Sequence, residues 1–290
     1  MPSLSILIAL HNRLDLTRRC LSTLEASLAA CPGLDAEVIL VDDLSSDGTR
    51  EFLGTLRAPF RVVKNERQGN FAINNNRAAA LAGGDLLCLL NNDTELPLDW
   101  LPPLLDALDV HPDAGLVGNV QRIPATGRLD HLGVVFPPWL TPIHYGQHLR
   151  ENPFTTPVLP WSAVTAACCI TRRDTFYAAG TFDEAYVNGC EDIDLCLRMH
   201  RLGRRHYVAN RSEILHHKGS SPGRRTHNDR NLARLKSIWG DTLRRDFVPR
   251  DARLAALGYL RGACAQPLRT NAPKLFRSLL VIAGLPALAR

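Results

Sequence analysis

The feature that most constrains this chain is an alternation running through its first 120 residues. Short β-rich runs at 4–10, 37–41, 61–63, 86–90 and 115–120 are separated by stretches with helical apolar spacing at about 14–30, 47–56, 71–82 and 98–110. Strands that alternate with helices pair in parallel, because each return to the same sheet needs a crossover. Helices then cover both faces, so the strands read as unbroken apolar runs, as Leu86-Leu87-Cys88-Leu89-Leu90 does. The predicted class is α/β with a mostly parallel central sheet flanked by helices. Gly83-Gly84 marks the stop of the third helix.

Beyond residue 120 the pattern weakens. Residues 121–165 are rich in proline and aromatics and predict loops with short antiparallel strands. A β-like run at 163–171 leads into a helix at about 172–179. A second helix, at about 192–202, carries Leu195, Met199 and Leu202 on one stripe, with Gly203 after it. From Arg250 onward seven Lys/Arg face one acid, Asp251, so that +6 exceeds the whole chain's +5 and leaves about −1 for residues 1–249. A near-neutral body argues against nucleic acid as partner. No run of 18 apolar residues appears, and the first apolar run lacks a basic leader, so neither a spanning helix nor a signal peptide is expected. The eight cysteines form no CxxC pair and lie largely in apolar runs. They predict small hydrophobes in a reducing, cytosolic compartment.

In an open parallel sheet, ligands bind beyond the carboxyl ends of the strands. Three polar clusters fall there: His11-Asn12-Arg13, Asp42-Asp43 in VDDLSSDGT, and Asn91-Asn92-Asp93. A turn and a helix cap would explain Asp42 to Asp47 alone. Three clusters on one rim point to a ligand instead. A carboxylate at the tip of a buried strand suits Mg²⁺ or Mn²⁺, which offsets the charge of a diphosphate. In GTFDEAYVNGCEDIDLCLRMHRLG, Glu191, Asp192 and Asp194 open a helix. Capping accounts for one acid more readily than for three. Asp192 is therefore the candidate general base, with Glu191 beside it. His216-His217, in ILHHKGSSPGRR, is a candidate metal or phosphate contact. Cys190, Cys196, His200 and His206 match no common zinc spacing.

Taken in order, SILIALHNRLDLTRRCLSTL, EVILVDDLSSDGT, NERQGNFAINNNRAAALAGGDLLCLLNNDTEL, GTFDEAYVNGCEDIDLCLR, ILHHKGSS and LARLKSIWGD resemble the family 2 glycosyltransferases, with the GT-A fold. The resemblance covers about residues 4–245 and is to the branch that adds rhamnose or other sugars to bacterial polysaccharides and lipid-linked glycans. It implies a nucleotide-binding half up to about residue 120 and an acceptor and catalytic half at 121–249; the charge count reads residues 250–290 as a basic amphipathic tail. Asp42 would contact the nucleotide base, with Ala9, His11, Asn12, Arg13 and Asp43 in the same pocket. Arg67 and Asn75 would approach the nucleotide. Asn91-Asn92-Asp93 matches the metal motif often written DxD, departing from it at Asn91, so Asp93 would be the main ligand of Mg²⁺ or Mn²⁺. Asp192 matches the base of inverting members. His216 matches a histidine that reaches metal or diphosphate, and His217 leaves that register open by one.

The implied reaction is a single displacement. A glycan or lipid-linked acceptor hydroxyl attacks the sugar of a nucleotide-diphospho-sugar, with inversion. A sugar-phosphate nucleotidyltransferase would need a glycine-rich, lysine-bearing loop after the first strand, and ALHNRLDLTRR has no glycine there. A catalytically inactive glycan-binding module would lack the acids, yet Asp93 and Asp192 are present. The tail mixes basic residues with apolar stretches. It predicts either a helix lying on an anionic membrane surface or packing on the body or a second subunit.

Overall fold

The computed structural model describes residues 3–147, 149–218 and 226–285. Strand β1 (Leu4–Leu10), helix α1 (Leu14–Ala29), β2 (Ala36–Asp42), α2 (Thr49–Leu53), β3 (Phe60–Lys64), α3 (Phe71–Leu81) and β4 (Leu86–Leu90) alternate. A short strand β5 (Thr94–Glu95), helix α4 (Pro102–Val110) and the long β6 (Ala114–Ile123) follow. Then come four short strands, β7 (Arg128–His131), β8 (Val134–Val135), β9 (Ile143–His144) and β10 (Val158–Trp161). The chain continues through β11 (Cys168–Arg172), α5 (Arg173–Ala178), α6 (Glu191–Arg201), β12 (Arg205–His216) and α7 (Asn228–Thr242). A π-helical turn at Leu243–Phe247 joins α7 to α8 (Val248–Ala265), and a 3₁₀ turn leads to α9 (Ala272–Ile282).

The main sheet runs β10-β12-β6-β11-β4-β1-β2-β3, with β5 paired to β12 and β7 to β6. Strands β3, β2, β1 and β4 are parallel. Strand β11 lies antiparallel between β4 and β6, and β12 resumes the parallel direction beside β6. A separate small antiparallel sheet joins β8 and β9. Because side chains alternate across a strand, β4 feeds both faces. Leu87 and Leu89 join Leu7, Ile39 and Val41 in the layer covered by α3, α6 and α7. Leu86, Cys88 and Leu90 join Ile6, Ile8, Val38 and Leu40 in the layer covered by α1 and α4. Each buried Leu or Ile contributes about 1.5–3 kcal/mol. All eight cysteines are free, and Cys20, Cys88, Cys168, Cys169 and Cys196 are buried as small hydrophobes.

Several boundaries differ from the sequence expectation. The helix expected at 47–56 shrinks to α2, because Asp47 and Gly48 form a turn. Gly48 is left-handed (φ 87°), and Asp47 Oδ1 accepts from Thr49 N and Oγ1. The helix expected at 98–110 starts at Pro102, since proline fits the first turn, where its missing N–H is not needed. Only Cys168–Arg172 of the expected strand at 163–171 pairs in the main sheet. Residues 163–167 instead cross the rim, where Ala167 O accepts from Asn91 N at 2.8 Å. Gly84 N donates to Ser5 Oγ, and a Cβ there would lie 2.7 Å from Ser5 N, so the strand start admits only glycine. Helix α8 runs through Pro249 without a break. Its Asp251 is buried and accepts from Phe136 N at 2.9 Å and from Ser162 Oγ, and Ala255 belongs to the main core. Helix α9 packs on α8 through Val281 against Ala252 and Ala256. Among the described residues no helix is long and apolar enough to cross a membrane.

Candidate functional site

A cavity of about 470 Å³ opens beyond the carboxyl ends of β1 and β4. One wall is the turn from β1 to α1, where Asn12 and Arg13 are left-handed (φ 57° and 64°). This turn is tied to the loop after β2. Asn12 N donates to Ser45 Oγ at 2.8 Å, and Asn12 Oδ1 accepts from Ser46 N at 2.7 Å. His11 Nδ1 lies 2.6 Å from Asp43 O, and a carbonyl only accepts, so that nitrogen carries the proton.

Asp42 and Asp43 point to opposite sides, as consecutive strand residues do. Asp43 lines the cavity, and its Oδ1 accepts from Asn65 Nδ2 and Gly69 N at 2.8 and 2.7 Å. Asp42 does not line it. Its carboxylate is fully buried, accepts from Ser45 N and lies 3.1 Å from Arg50 Nε. Of this pair, the carboxylate that lines the cavity is therefore Asp43, not Asp42. Asn75 also faces inward and donates to Phe71 O, whereas its neighbour Asn74 reaches the cavity. Arg67 is exposed and outside the cavity lining.

Ala9, Asn91, Asn92 and Asp93 line the same cavity from β1 and the tip of β4. Asn92 is steadied by a 2.9 Å hydrogen bond to Thr17 Oγ1. Asp93 is nearly buried, and His216 Nε2 lies 3.3 Å from its Oδ1. The pairing of β12 with β5 settles the register: His216 sits behind Asp93, while His217 turns to Glu95 at 2.6 Å. His216 is not itself on the cavity surface. Gly219, Ser220 and Ser221, which complete that sequence element, lie outside the described residues.

The opposite wall is the start of α6. Asn188, Gly189 and Cys190 all have positive φ, and this irregular entry aims the first turn of the helix at the cavity. Glu191 accepts from Gly189 N. Asp192 Oδ2 accepts from Ala166 N at 3.2 Å and Oδ1 from Ile193 N at 2.8 Å, which fixes the carboxylate against the 165–167 segment. Asp194 points into the core, accepting from Trp239 Nε1 at 2.7 Å and Arg198 Nε at 2.8 Å. Of the three acids one is thus structural and two face the cavity. Burial, followed by the fields of Asp192 and Glu191, pushes the Cys190 thiol up to about 12, so it is no nucleophile. Burial likewise raises the Cys196 thiol.

Sequence reasoning missed Gln68, Gly69, Asn70, Phe71 and Asn74 at the entry of α3, and Thr165, Ala166, Ala167 and Asn188. Asn70 carried a signal: it caps α3, its side chain accepting from Ile73 N. The 165–167 segment carried none.

Among the described residues no three His, Cys, Asp or Glu side chains cluster tightly enough to hold an ion alone. Asp93 and His216 nevertheless fit a divalent cation. His216 Nε2 is buried and makes no hydrogen bond among the described residues, and it faces a carboxylate oxygen. An oxygen and a nitrogen donor, completed by diphosphate oxygens and water, suit Mg²⁺ or Mn²⁺. A second cavity, of about 500 Å³, lies at the far end of α6. Its single carboxylate, Asp251, is already engaged.

Comparisons with known proteins place the sequence and the fold. The sequence model described as "Glycosyl transferase family 2" matches residues 5–174, more than half of the chain. The O-antigen biosynthesis protein RfbC of Myxococcus xanthus is 33% identical over 76% of this chain and 18% of its own length. An uncharacterized Sinorhizobium fredii protein is 32% identical over 77% of this chain and 25% of its own length. The chain therefore spans a quarter or less of these two relatives. The N-acetylglucosaminyl-diphospho-decaprenol L-rhamnosyltransferase of Mycobacterium tuberculosis is 28% identical over 69% of this chain and 72% of its own. Among solved structures, GalNAc-T7 with UDP, GalNAc and Mn²⁺ superposes with a TM-score of 0.64 at 16% identity, covering 83% of this chain and 48% of that one. The mannosyltransferase PcManGT of Pyrobaculum calidifontis, with GDP-Man and Mn²⁺, gives 0.60 at 16% identity over 99% and 80%. A parallel sheet that turns its carboxylates into one cavity, and a match over more than half its length, make this chain a member of glycosyl transferase family 2.

Proposed function

We propose that this chain is an inverting glycosyltransferase that moves a sugar from a nucleoside-diphosphate-sugar to a hydroxyl of a glycan or lipid-linked acceptor. The observation that carries this reading is that Asp93 and Asp192, from two different elements, face one cavity whose far wall is Asp43 and the turn at Asn12. The nucleoside lies along the β1 and β2 loops, where Asp43 and Asn12 supply hydrogen-bond acceptors. The N–H groups of Ala166 and Ile193 orient the Asp192 carboxylate. Asp192 takes the acceptor proton as its oxygen bonds to the anomeric carbon, and the nucleoside diphosphate departs from the opposite face. A divalent cation, Mg²⁺ or Mn²⁺, held by Asp93 with His216, would supply positive charge to the departing diphosphate. Asn91, in place of a second acid, leaves that charge less offset by the protein. The relatives named for O-antigen biosynthesis and rhamnosyl transfer support an acceptor in polysaccharide or glycolipid assembly. The basic tail supports contact with an anionic membrane surface.

The test is a panel of UDP-, GDP- and dTDP-sugars, followed by nucleoside diphosphate release with and without acceptor. Asp192→Asn keeps the shape and one of the two acceptor oxygens but removes basicity. It is expected to lower kcat by about a hundredfold or more and to leave donor affinity within about twofold. Undiminished turnover would move the base elsewhere, with Glu191 next.

A further inference from the structure

Behind Asp93, His216 leads into a buried chain of polar side chains whose other members the reaction above does not use. His216 on β12 is 2% exposed. Its Nδ1 lies 3.1 Å from Gln121 Oε1 on β6 and 3.8 Å from Asp130 Oδ2 on β7. Amide and carboxylate oxygens only accept, so the proton of a neutral imidazole sits on Nδ1. Nε2 then presents a lone pair beside Asp93 Oδ1, 3.3 Å away.

Asp130 is 1% exposed. Its Oδ1 accepts from Lys218 Nζ at 2.7 Å and from Gln147 Nε2 at 3.2 Å. Asp130 and Lys218 thus form an ion pair whose carboxylate is buried inside the protein. Buried ion pairs are weak contributors to stability, because desolvation offsets the attraction. A carboxylate on the far side of a metal-binding imidazole has a different use: it fixes the ring's tautomer and orientation and makes the outer nitrogen a better ligand.

We propose that Asp130 and Gln121 are positioning residues that hold His216 in its Nδ1–H form, with Nε2 turned to Asp93, so that the two side chains take up a divalent cation together. This rests on the metal reading given under the proposed function. Lys218 completes the arrangement: it balances Asp130 and ties the end of β12 to β7, holding the two strands' polar groups in register.

Two readouts test it. In metal-free protein, long-range ¹H–¹⁵N spectra of the imidazoles report which nitrogen of His216 is protonated. The wild type is expected to show Nδ1–H, and Asp130→Asn and Gln121→Met a mixture or Nε2–H. Titration with Mn²⁺ alone, followed by electron paramagnetic resonance, is expected to show affinity lowered about 10- to 100-fold in Asp130→Asn. In a His216→Ala background the same change is expected to cost nothing further. Gln121→Met keeps the side-chain length and decides the matter should Asp130→Asn fail to fold, as judged by its thermal transition. Wild-type uptake of Mn²⁺ with tautomer and affinity unchanged in the variants overturns the positioning role and leaves the metal reading standing. So does an equal loss in the His216→Ala background. No Mn²⁺ uptake by the wild type overturns the metal reading itself, and the positioning role with it.

Discussion

Asp192 and Asp194 are two residues apart on α6, and about 200° of helical rotation separates their side chains. One meets the cavity and the Ala166 N–H, the other meets Trp239, Arg198 and the core. Asp42 and Asp43 divide in the same way across a strand, one held by Arg50 and the other by Gly69 N and Asn65. At this scale chemistry depends on the direction of a Cα–Cβ bond more than on residue type. Asp93 offers the direct check. Asp93→Ala is expected to cut turnover by about a hundredfold and to weaken nucleoside diphosphate binding with it, because the departing charge loses its counter-charge. EDTA should reproduce both effects in the wild type and add nothing in the variant, as read by calorimetry and by product release. Full wild-type activity in EDTA would sink the metal assignment while leaving the fold untouched.

Helix α9 carries its own argument. Ser278 and Val281 face the body, while Phe276 (63% exposed), Leu279 (50%) and Ile282 (39%) form a ridge turned outward. Lys274 and Arg277 lie on the same helix. Burial first, then the charges of Lys274 and Arg244, lowers Lys236 on α7. No Asp or Glu follows Asp251 in the sequence. An apolar ridge among cations fits an anionic lipid surface, where each basic residue contributes about 1 kcal/mol. The full chain is expected to float with vesicles containing anionic lipid at low salt, and to be released as salt screens the attraction. Changing Phe276, Leu279 and Ile282 together to serine should abolish flotation without lowering Tm, since all three are exposed. Equal flotation of both proteins would leave the ridge without a membrane role. A chain ended at Pro249 is a poorer comparison, because it removes the buried Asp251 and Ala255.

For the whole molecule, buried histidines set an acid limit. His206 is sealed in the core, accepting from Leu116 N at Nδ1 and donating from Nε2 to Cys196 O. Burial first, with lesser help from His200 and Arg250, brings it down to about 4. Burial brings His131 to about 3. Both are neutral when folded and charge near pH 6.5 when unfolded. Because the folded pKa values are the lower ones, the unfolded chain binds more protons in this window. The histidine contribution to stability should be constant above about pH 7 and fall as the pH drops below about 6.5, by roughly 2–3 kcal/mol from His206 alone at pH 4. Urea midpoints at pH 7, 5.5 and 4.5 measure this, and His206→Gln should flatten part of the slope. A midpoint that does not move would refute it.

What was legible in the sequence is what depends on near neighbours along the chain. Apolar alternation and helical spacing located β1, β2, β4, β6, α1, α3 and α6 to within a few residues of their observed ends. Strand ends carrying Asn12, Asn91 and Asp93, and a helix start carrying Asp192, were visible because motifs at the ends of regular elements keep a fixed spacing. Tertiary structure decided the rest. Placing β11 antiparallel between β4 and β6 brings Ala166 and Ala167 across from Asn91, and no local pattern encodes a pairing between residues so far apart in the chain. That Asp43 rather than Asp42 lines the cavity follows from which face of β2 the turn at Asn12 covers. That His216 rather than His217 sits beside Asp93 follows from the register of β12 against β5. Apolar periodicity is a local signal, fixed by backbone geometry and burial. Register and strand order are settled only when distant segments compete for the same hydrogen bonds.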